Sequence, residues 1–99
     1  MNTFDKVYNL VKKIPKGKVT TYGALAKKIG NANPRVVGYA LHSNKTPETV
    51  PCHRVIHSDG TLAKGYAFGG LDVQKQLLEQ EGISFIHEKI DLEKYLFVL

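Results

Sequence analysis

Pro15, Gly17, Gly30 and Pro34 cut the first half of this chain into three short helical runs. Proline lacks the N–H that an internal helical turn needs, and glycine accepts the left-handed conformation that ends helices. Thr3 suits the N-cap of the first run, in which Phe4, Val7, Tyr8, Leu10, Val11 and Ile14 recur at helical spacing. Pro15 stops that helix, and Lys16-Gly17-Lys18 turns the chain. The second run follows Thr21 and covers Tyr22 to Ile29, with Leu25, Ala26 and Ile29 inward and Gly30 as its terminator. Asn33-Pro34 then opens a third helix. Asn caps it, and Pro takes the first helical position, where its missing N–H costs nothing. Val36, Val37, Ala40 and Leu41 form the apolar face of this helix.

Two short helices joined by a Gly-containing turn suggest a helix-turn-helix. Counted from Tyr22, Ala26 at the fifth place, Gly30 at the ninth and Val36 at the fifteenth fit its spacing. Ordinary helix packing passes the same count, so charge has to weigh in. The 99 residues carry 14 Lys+Arg against 9 Asp+Glu, a net +5, which favours a polyanionic partner. The helix from Pro34 is then the recognition helix, with Arg35 in its first turn and Gly38 and Ala40 small enough for close approach to a backbone. An arginine at the positive end of a helix dipole is electrostatically misplaced, which favours a task over a passive surface position. Lys6, Lys12, Lys13, Lys16 and Lys18 gather round the end of the first helix, where a solvated face is as good a reading as a DNA-facing one.

From Thr49 the pattern changes. Val50 to Ile56 reads as a short extended segment closed by a Ser58-Asp59-Gly60 turn. Gly65, Gly69 and Gly70, with Tyr66 and Phe68 between them, make a loop that a flat ligand can approach closely. A further helix spans about Asp72 to Glu81, with Val73, Leu77 and Leu78 as its buried stripe and Gly82 as its stop. Ile83 to Ile86 is strand-like, and Asp91 to Leu96 makes a short amphipathic turn. No repeat, low-complexity run or linker interrupts residues 1–99, so a single domain is expected. The fold class expected is mainly α, a winged-helix-like three-helix DNA-binding domain with a helix-turn-helix and a small β element. No run approaches the ~18 apolar residues of a membrane span, and no signal-peptide core is present. One cysteine excludes an internal disulfide and suits a reducing, cytoplasmic setting, or the nucleus in a eukaryote.

That cysteine, Cys52, is followed by His53. A free thiol is mostly protonated at neutral pH, so a nucleophilic Cys needs a base or cation nearby. Neighbours on an extended segment point to opposite faces, so a bridging water or a local turn is required to link them. Glu81 stands on the core face near the negative end of its helix, where a carboxylate needs a partner, and an imidazole that it orients fits that need. A small buried hydrophobe remains the ordinary role for a lone Cys. His53 and His57 are four apart, but on a strand four residues span roughly 13 Å, and no Cys-x-x-Cys or His-Glu-x-x-His is present. No metal is expected. No Gly-rich phosphate loop follows a strand, so no nucleotide cofactor is indicated either. His42 and His87 read as ordinary surface or packing residues.

The order Ile14-Pro15-Lys16-Gly17-Lys18-Val19-Thr20-Thr21-Tyr22-Gly23-Ala24-Leu25-Ala26, then Pro51-Cys52-His53-Arg54-Val55-Ile56, then Gly65-Tyr66 with Gly69-Gly70, then Leu77-Leu78 before Glu81-Gly82, resembles the O6-alkylguanine-DNA alkyltransferases (methylated-DNA–protein-cysteine methyltransferases). The likeness covers about residues 4 to 82, nearly the whole C-terminal active domain of that family. It implies that Cys52 accepts the alkyl group, with His53 as a base working through water and Glu81 holding His53. It implies that Arg35 fills the gap left by the flipped nucleotide, and that Tyr22 crowds its phosphate and donates a proton to the departing guanine. Thr21 and Gly38 would join Arg35 and Tyr22 on the DNA, with the recognition helix in the minor groove. Leu41, Asn44, Val55, Tyr66 and Ala67 would form the base pocket, Asn44 tying the recognition helix to the active-site loop. The implied partner is double-stranded DNA carrying O6-alkylguanine, met by a monomer without a cofactor in a single irreversible turnover.

Several positions depart from that pattern. The chain is expected to stand without the N-terminal domain that usually precedes this one, the turn between the two helices is a residue shorter, and Phe68 is extra. Gln74 stands where many members have Lys, and Ala67 where some have Ser. Short chains also resemble the alkyltransferase-like proteins, which bind alkylated DNA, lack the acceptor cysteine and hand the lesion to excision repair. The presence of Cys52 favours the transferase, with lesion binding as the alternative. A transcription regulator with an incidental Cys stands third, and a Cys-His hydrolase fourth.

Overall fold

The computed structural model describes residues 2–30, 33–62 and 66–99; Gly65 of the expected glycine loop lies outside them. Helices α1 (Thr3–Val11), α2 (Tyr22–Lys28) and α3 (Pro34–His42) form the three-helix unit. Strand β1 (Thr20–Thr21) leads directly into α2, and a 3-10 turn at Cys52–Arg54 leads into β2 (Val55–Ile56). Helix α4 (Gly70–Gln80) is followed by the antiparallel pair β3 (Phe85–Ile86) and β4 (Lys89–Ile90), then by the short helix α5 (Leu92–Tyr95). The fold is mainly α with a β-hairpin wing. No described helix is long and apolar enough to cross a membrane.

The caps of the central helices are those of the sequence. Thr21 Oγ1 accepts from the Ala24 N–H at 3.1 Å, and the Asn33 side chain accepts from the Arg35 N–H at 3.0 Å with Pro34 at the helix start. Gly30, at φ 84°, supplies the left-handed residue after α2. The first helix corrects the expectation at both ends. Asn2, one residue before Thr3, is the cap, accepting from the Asp5 N–H at 2.9 Å. The α-helix ends at Val11, because Pro15 disfavours helical geometry in the residue before it and the last turn tightens through Lys13 N–H to Leu10 and Ile14 N–H to Val11. Ile14 is nevertheless buried.

The segment from Val50 also departs from the extended reading. Pro51, at φ −75° and ψ 71°, forms an inverse γ-turn closed by Cys52 N–H on Val50 O at 2.7 Å. Arg54 N–H then bonds Pro51 O at 3.0 Å, so Cys52 to Arg54 coil into a 3-10 turn and extension begins only at Val55. Strand β2 pairs in parallel with β1, Thr20 opposite Val55 and Thr21 opposite Ile56. Strand alternation sends Val55 into the core between α1, α2 and α3, and Ile56 into a second cluster with Val19, Leu62, Leu78, Ile83, Ile90 and Tyr95. This short ladder therefore ties the Cys52 turn to the start of α2 and spans both clusters.

Candidate active site

A cavity of about 610 Å³ opens between α3, the start of α2, the Cys52 turn and the loop before α4. Tyr22, Arg35, Gly38, Leu41, Cys52, Tyr66 and Ala67 line it, so seven of the expected site residues come together there. The remainder stand behind it. Thr21 is buried as the α2 cap rather than facing the cavity. Val55 corrects the expected pocket wall, since β2 turns it into the three-helix core. Asn44 is buried, donating from Nδ2 to Val50 O at 2.9 Å and accepting at Oδ1 from Thr46 N–H at 3.1 Å, which braces the approach to Pro51. Pro34, Tyr39, His42 and His57 also line the cavity and were missed as site residues. His57 packs its ring on Tyr22 at 5.3 Å. For His42 a signal was available: it lies seven residues after Arg35, on the same helical face.

The 3-10 turn changes how Cys52 and His53 are disposed. Successive side chains in such a helix are about 120° apart, not the 180° of a strand. Cys52 thus sits at the cavity floor while His53 turns toward the end of α4, where its Nε2 meets Glu81 Oε2 at 2.8 Å. Glu81 is further held by Arg54, whose Nε donates to Oε1 at 2.9 Å and Nη2 to Oε2 at 2.7 Å. Arg54 Nη1 donates to Ile14 O at 2.8 Å, so the guanidinium also fixes the end of the first helical segment. The sequence pairs Glu81 with His53 alone and gives no sign of this bidentate partner. In α4 the expected stripe is also revised. Gln74 and Leu78 are fully buried, and Val73 and Leu77 only partly so. Only the nitrogen of the buried Gln74 amide is satisfied: its Nε2 donates to His53 O at 3.1 Å and Val55 O at 3.2 Å, on either side of Arg54, while Oε1 has no hydrogen-bond partner among the described residues.

Burial pushes the Cys52 thiol up, against hydrogen bonds from Asn44, its own backbone and Tyr66 that pull it down. The group is therefore protonated at neutral pH and needs a base. Burial holds His53 below its ordinary value, outweighing the raising effect of Glu81, so the imidazole is neutral at pH 7 and able to accept a proton. With Glu81 ionised, His53 Nε2 is the donor and Nδ1 carries the basic lone pair. Burial raises Glu81, but Arg54 and His53 bring it below the ordinary carboxylate value. Burial next to Cys52 pushes Tyr22 and Tyr66 each up to about 12, so both remain hydroxyl donors. Among the described residues no group of three or more His, Cys, Asp or Glu side chains could hold a metal.

The family model for the 6-O-methylguanine DNA methyltransferase DNA-binding domain matches residues 2–83. The chain belongs to this family. Among methyltransferase relatives, the methylated-DNA–protein-cysteine methyltransferase of Methanocaldococcus jannaschii is 43% identical over 86 residues, 87% of this chain and 49% of that protein. The bifunctional methyltransferase/endonuclease of Picrophilus torridus is 40% identical over 98 residues, 98% of this chain and 32% of that protein. The chain thus spans about a third to a half of the length of these relatives. Alkyltransferase-like protein 1 of Schizosaccharomyces pombe matches nearly end to end, 41% identical over 95% of this chain and 93% of its own. The crystal structure of S. pombe Atl1 with damaged DNA containing O6-carboxymethylguanine superposes with TM-score 0.85 at 38% identity, covering 96% of this chain and 94% of that one.

The shifts of His53 and Glu81 make a pH prediction for this methyltransferase-family domain. Each folded-state pKa lies below its unfolded value. The unfolded chain therefore binds more protons on acidification, and the stability from each group is present above its unfolded pKa and lost as pH falls through the folded one. Urea midpoints are expected to decline as pH drops below about 6.5, through His53, and again below about 4.3, through Glu81. A midpoint that holds steady or rises between about pH 7 and pH 5 would refute this assignment.

Proposed function

We propose that these 99 residues act as one unit that binds duplex DNA carrying O6-alkylguanine, draws the damaged nucleotide into the cavity and transfers the alkyl group to Cys52. The observation that carries this is the sole cysteine on the cavity floor, one residue from an imidazole hydrogen-bonded to a partly buried carboxylate. His53 Nδ1 takes the thiol proton through a water molecule, and the thiolate attacks the alkyl carbon. The S–C bond forms as the C–O6 bond breaks, and the electron pair leaves with guanine. Tyr22 donates a proton to that anion and is reprotonated from His53 through solvent, so the net change is thiol to thioether and O6-alkylguanine to guanine. Because the thioether is stable, each molecule acts once. Arg35, at the cavity rim, fills the space in the stack.

The near full-length match to an alkyltransferase-like protein supports a second reading, lesion binding without transfer. Incubation with an O6-methylguanine duplex, followed by peptide mass spectrometry, separates the two. A methyl on Cys52 supports transfer. Tight lesion-selective binding without an adduct supports the second reading, and no lesion preference refutes both. Arg35→Ala is expected to weaken lesion binding by about 1–3 kcal/mol, the scale of lost stacking, in anisotropy titrations. Unchanged affinity would remove the wedge role from Arg35.

A further inference from the structure

Tyr39 is a large residue of the cavity rim to which no role has yet been assigned. It follows Arg35 by four positions, which on α3 places both on one face about 6 Å apart along the axis. Both line the same cavity. Tyr39 is 60% exposed, and among the described residues it is the one exposed aromatic; the other exposed large apolar side chains, Ile86, Leu96 and Val98, lie outside the cavity lining. Its side chain makes no hydrogen bond or ring contact within the described chain, in contrast to Tyr8, whose hydroxyl donates to Ala40 O, and to the paired rings of Tyr22 with His57 and Tyr66 with Phe68. An unengaged ring one helical turn from Arg35, at the mouth of a cavity with ample room for a base, is suited to a flat partner.

Drawing one nucleotide out of a duplex uncovers the faces of its neighbours. Those faces gain by stacking on an aromatic ring whatever the base identity. We propose that Tyr39 is a second wedge residue: while Arg35 occupies the gap, the Tyr39 ring packs on a base face that extrusion has uncovered. This rests on the lesion-extrusion reading above. It predicts that Tyr39 contributes to the damaged complex and not to the undamaged one, where no such face exists. A hydroxyl bond to phosphate would serve both duplexes and would need the oxygen.

The test uses the full chain with matched duplexes, one carrying O6-methylguanine and one undamaged, each with 2-aminopurine next to the target position. Tyr39→Ala is expected to bind the damaged duplex about ten-fold or more weakly, to bind the undamaged one as wild type does, and to lose most of the protein-dependent change in 2-aminopurine emission. Tyr39→Phe is expected to behave as wild type, and circular dichroism checks that both variants are folded. Equal losses on both duplexes, a Phe variant as weak as the Ala one, or an Ala variant with wild-type affinity would each overturn the proposal. Wild-type protein that does not prefer the damaged duplex would instead overturn the extrusion reading on which it rests.

Discussion

Cys52→Ala is expected to lower alkyl transfer by more than about 10⁴-fold, as loss of the nucleophile does in covalent catalysis, while the variant still binds an O6-methylguanine duplex. The sulfur is the one thiol in the chain, and no other described side chain that lines the cavity matches its polarisability. Tyr22 and Tyr66 cannot substitute, since burial holds both phenols protonated up to about 12. Binding survives because the rim residues, Arg35 and Gly38 among them, do not depend on the thiol. The measurement is quenched-flow incubation with intact-mass readout for transfer, with anisotropy for binding. An undiminished adduct on the Ala variant would refute the acceptor assignment; loss of binding together with transfer would refute the separation of floor from rim.

Arg54→Ala is expected to cost about 1.5–3 kcal/mol of stability, the scale of charged hydrogen bonds; the pair is only partly buried, so the ~3–5 kcal/mol of a fully buried ion pair is not reached. The side chains of Arg54 and Glu81 are 15% and 10% exposed, so water replaces the lost guanidinium only in part. The Ile14 carbonyl loses a charged donor in the same substitution. A second readout isolates the charge effect. Arg54 presses the His53 pKa down, so its removal is expected to move the acid limb of the transfer rate to higher pH. Urea unfolding and a pH–rate profile test both. A variant as stable as wild type, or an acid limb that stays in place, would show that Arg54 is not the counterion that sustains Glu81.

The three-helix unit was legible because its signals are local. Thr21 and Asn33 cap, Pro34 opens and Gly30 closes, and the structure has those residues in those positions. The hairpin was only half legible. Ile83 to Ile86 carried an apolar strand signal, but the turn uses His87 and Glu88 at φ 52° and 63°, positions where glycine or asparagine is the usual marker, so β4 gave no warning. The Cys52 turn misread as extended for a comparable reason. Val55 and Ile56 do form a strand, while the signal that distinguished the preceding residues was the single fixed φ of Pro51.

In the site, the proposed nucleophile, its neighbouring proposed base and the distant carboxylate were all nameable from residue type, helix phase and resemblance. Their common cavity was not, nor was Arg54 as the partner of Glu81, because these depend on where α4 ends relative to the Cys52 turn. Chain order and chemical type are set residue by residue, so the sequence alone determined the helices, their punctuation and the set of reactive groups. Distance is not. The β1–β2 pairing, the Gln74 clamp and the Arg54–Glu81 pair join segments far apart in the chain, and only the tertiary structure decided that Cys52 faces the cavity while His53 turns to Glu81. The physical reason is that a turn of about 120° per residue and a strand of 180° per residue aim the same two side chains differently, and long-range packing selects between them.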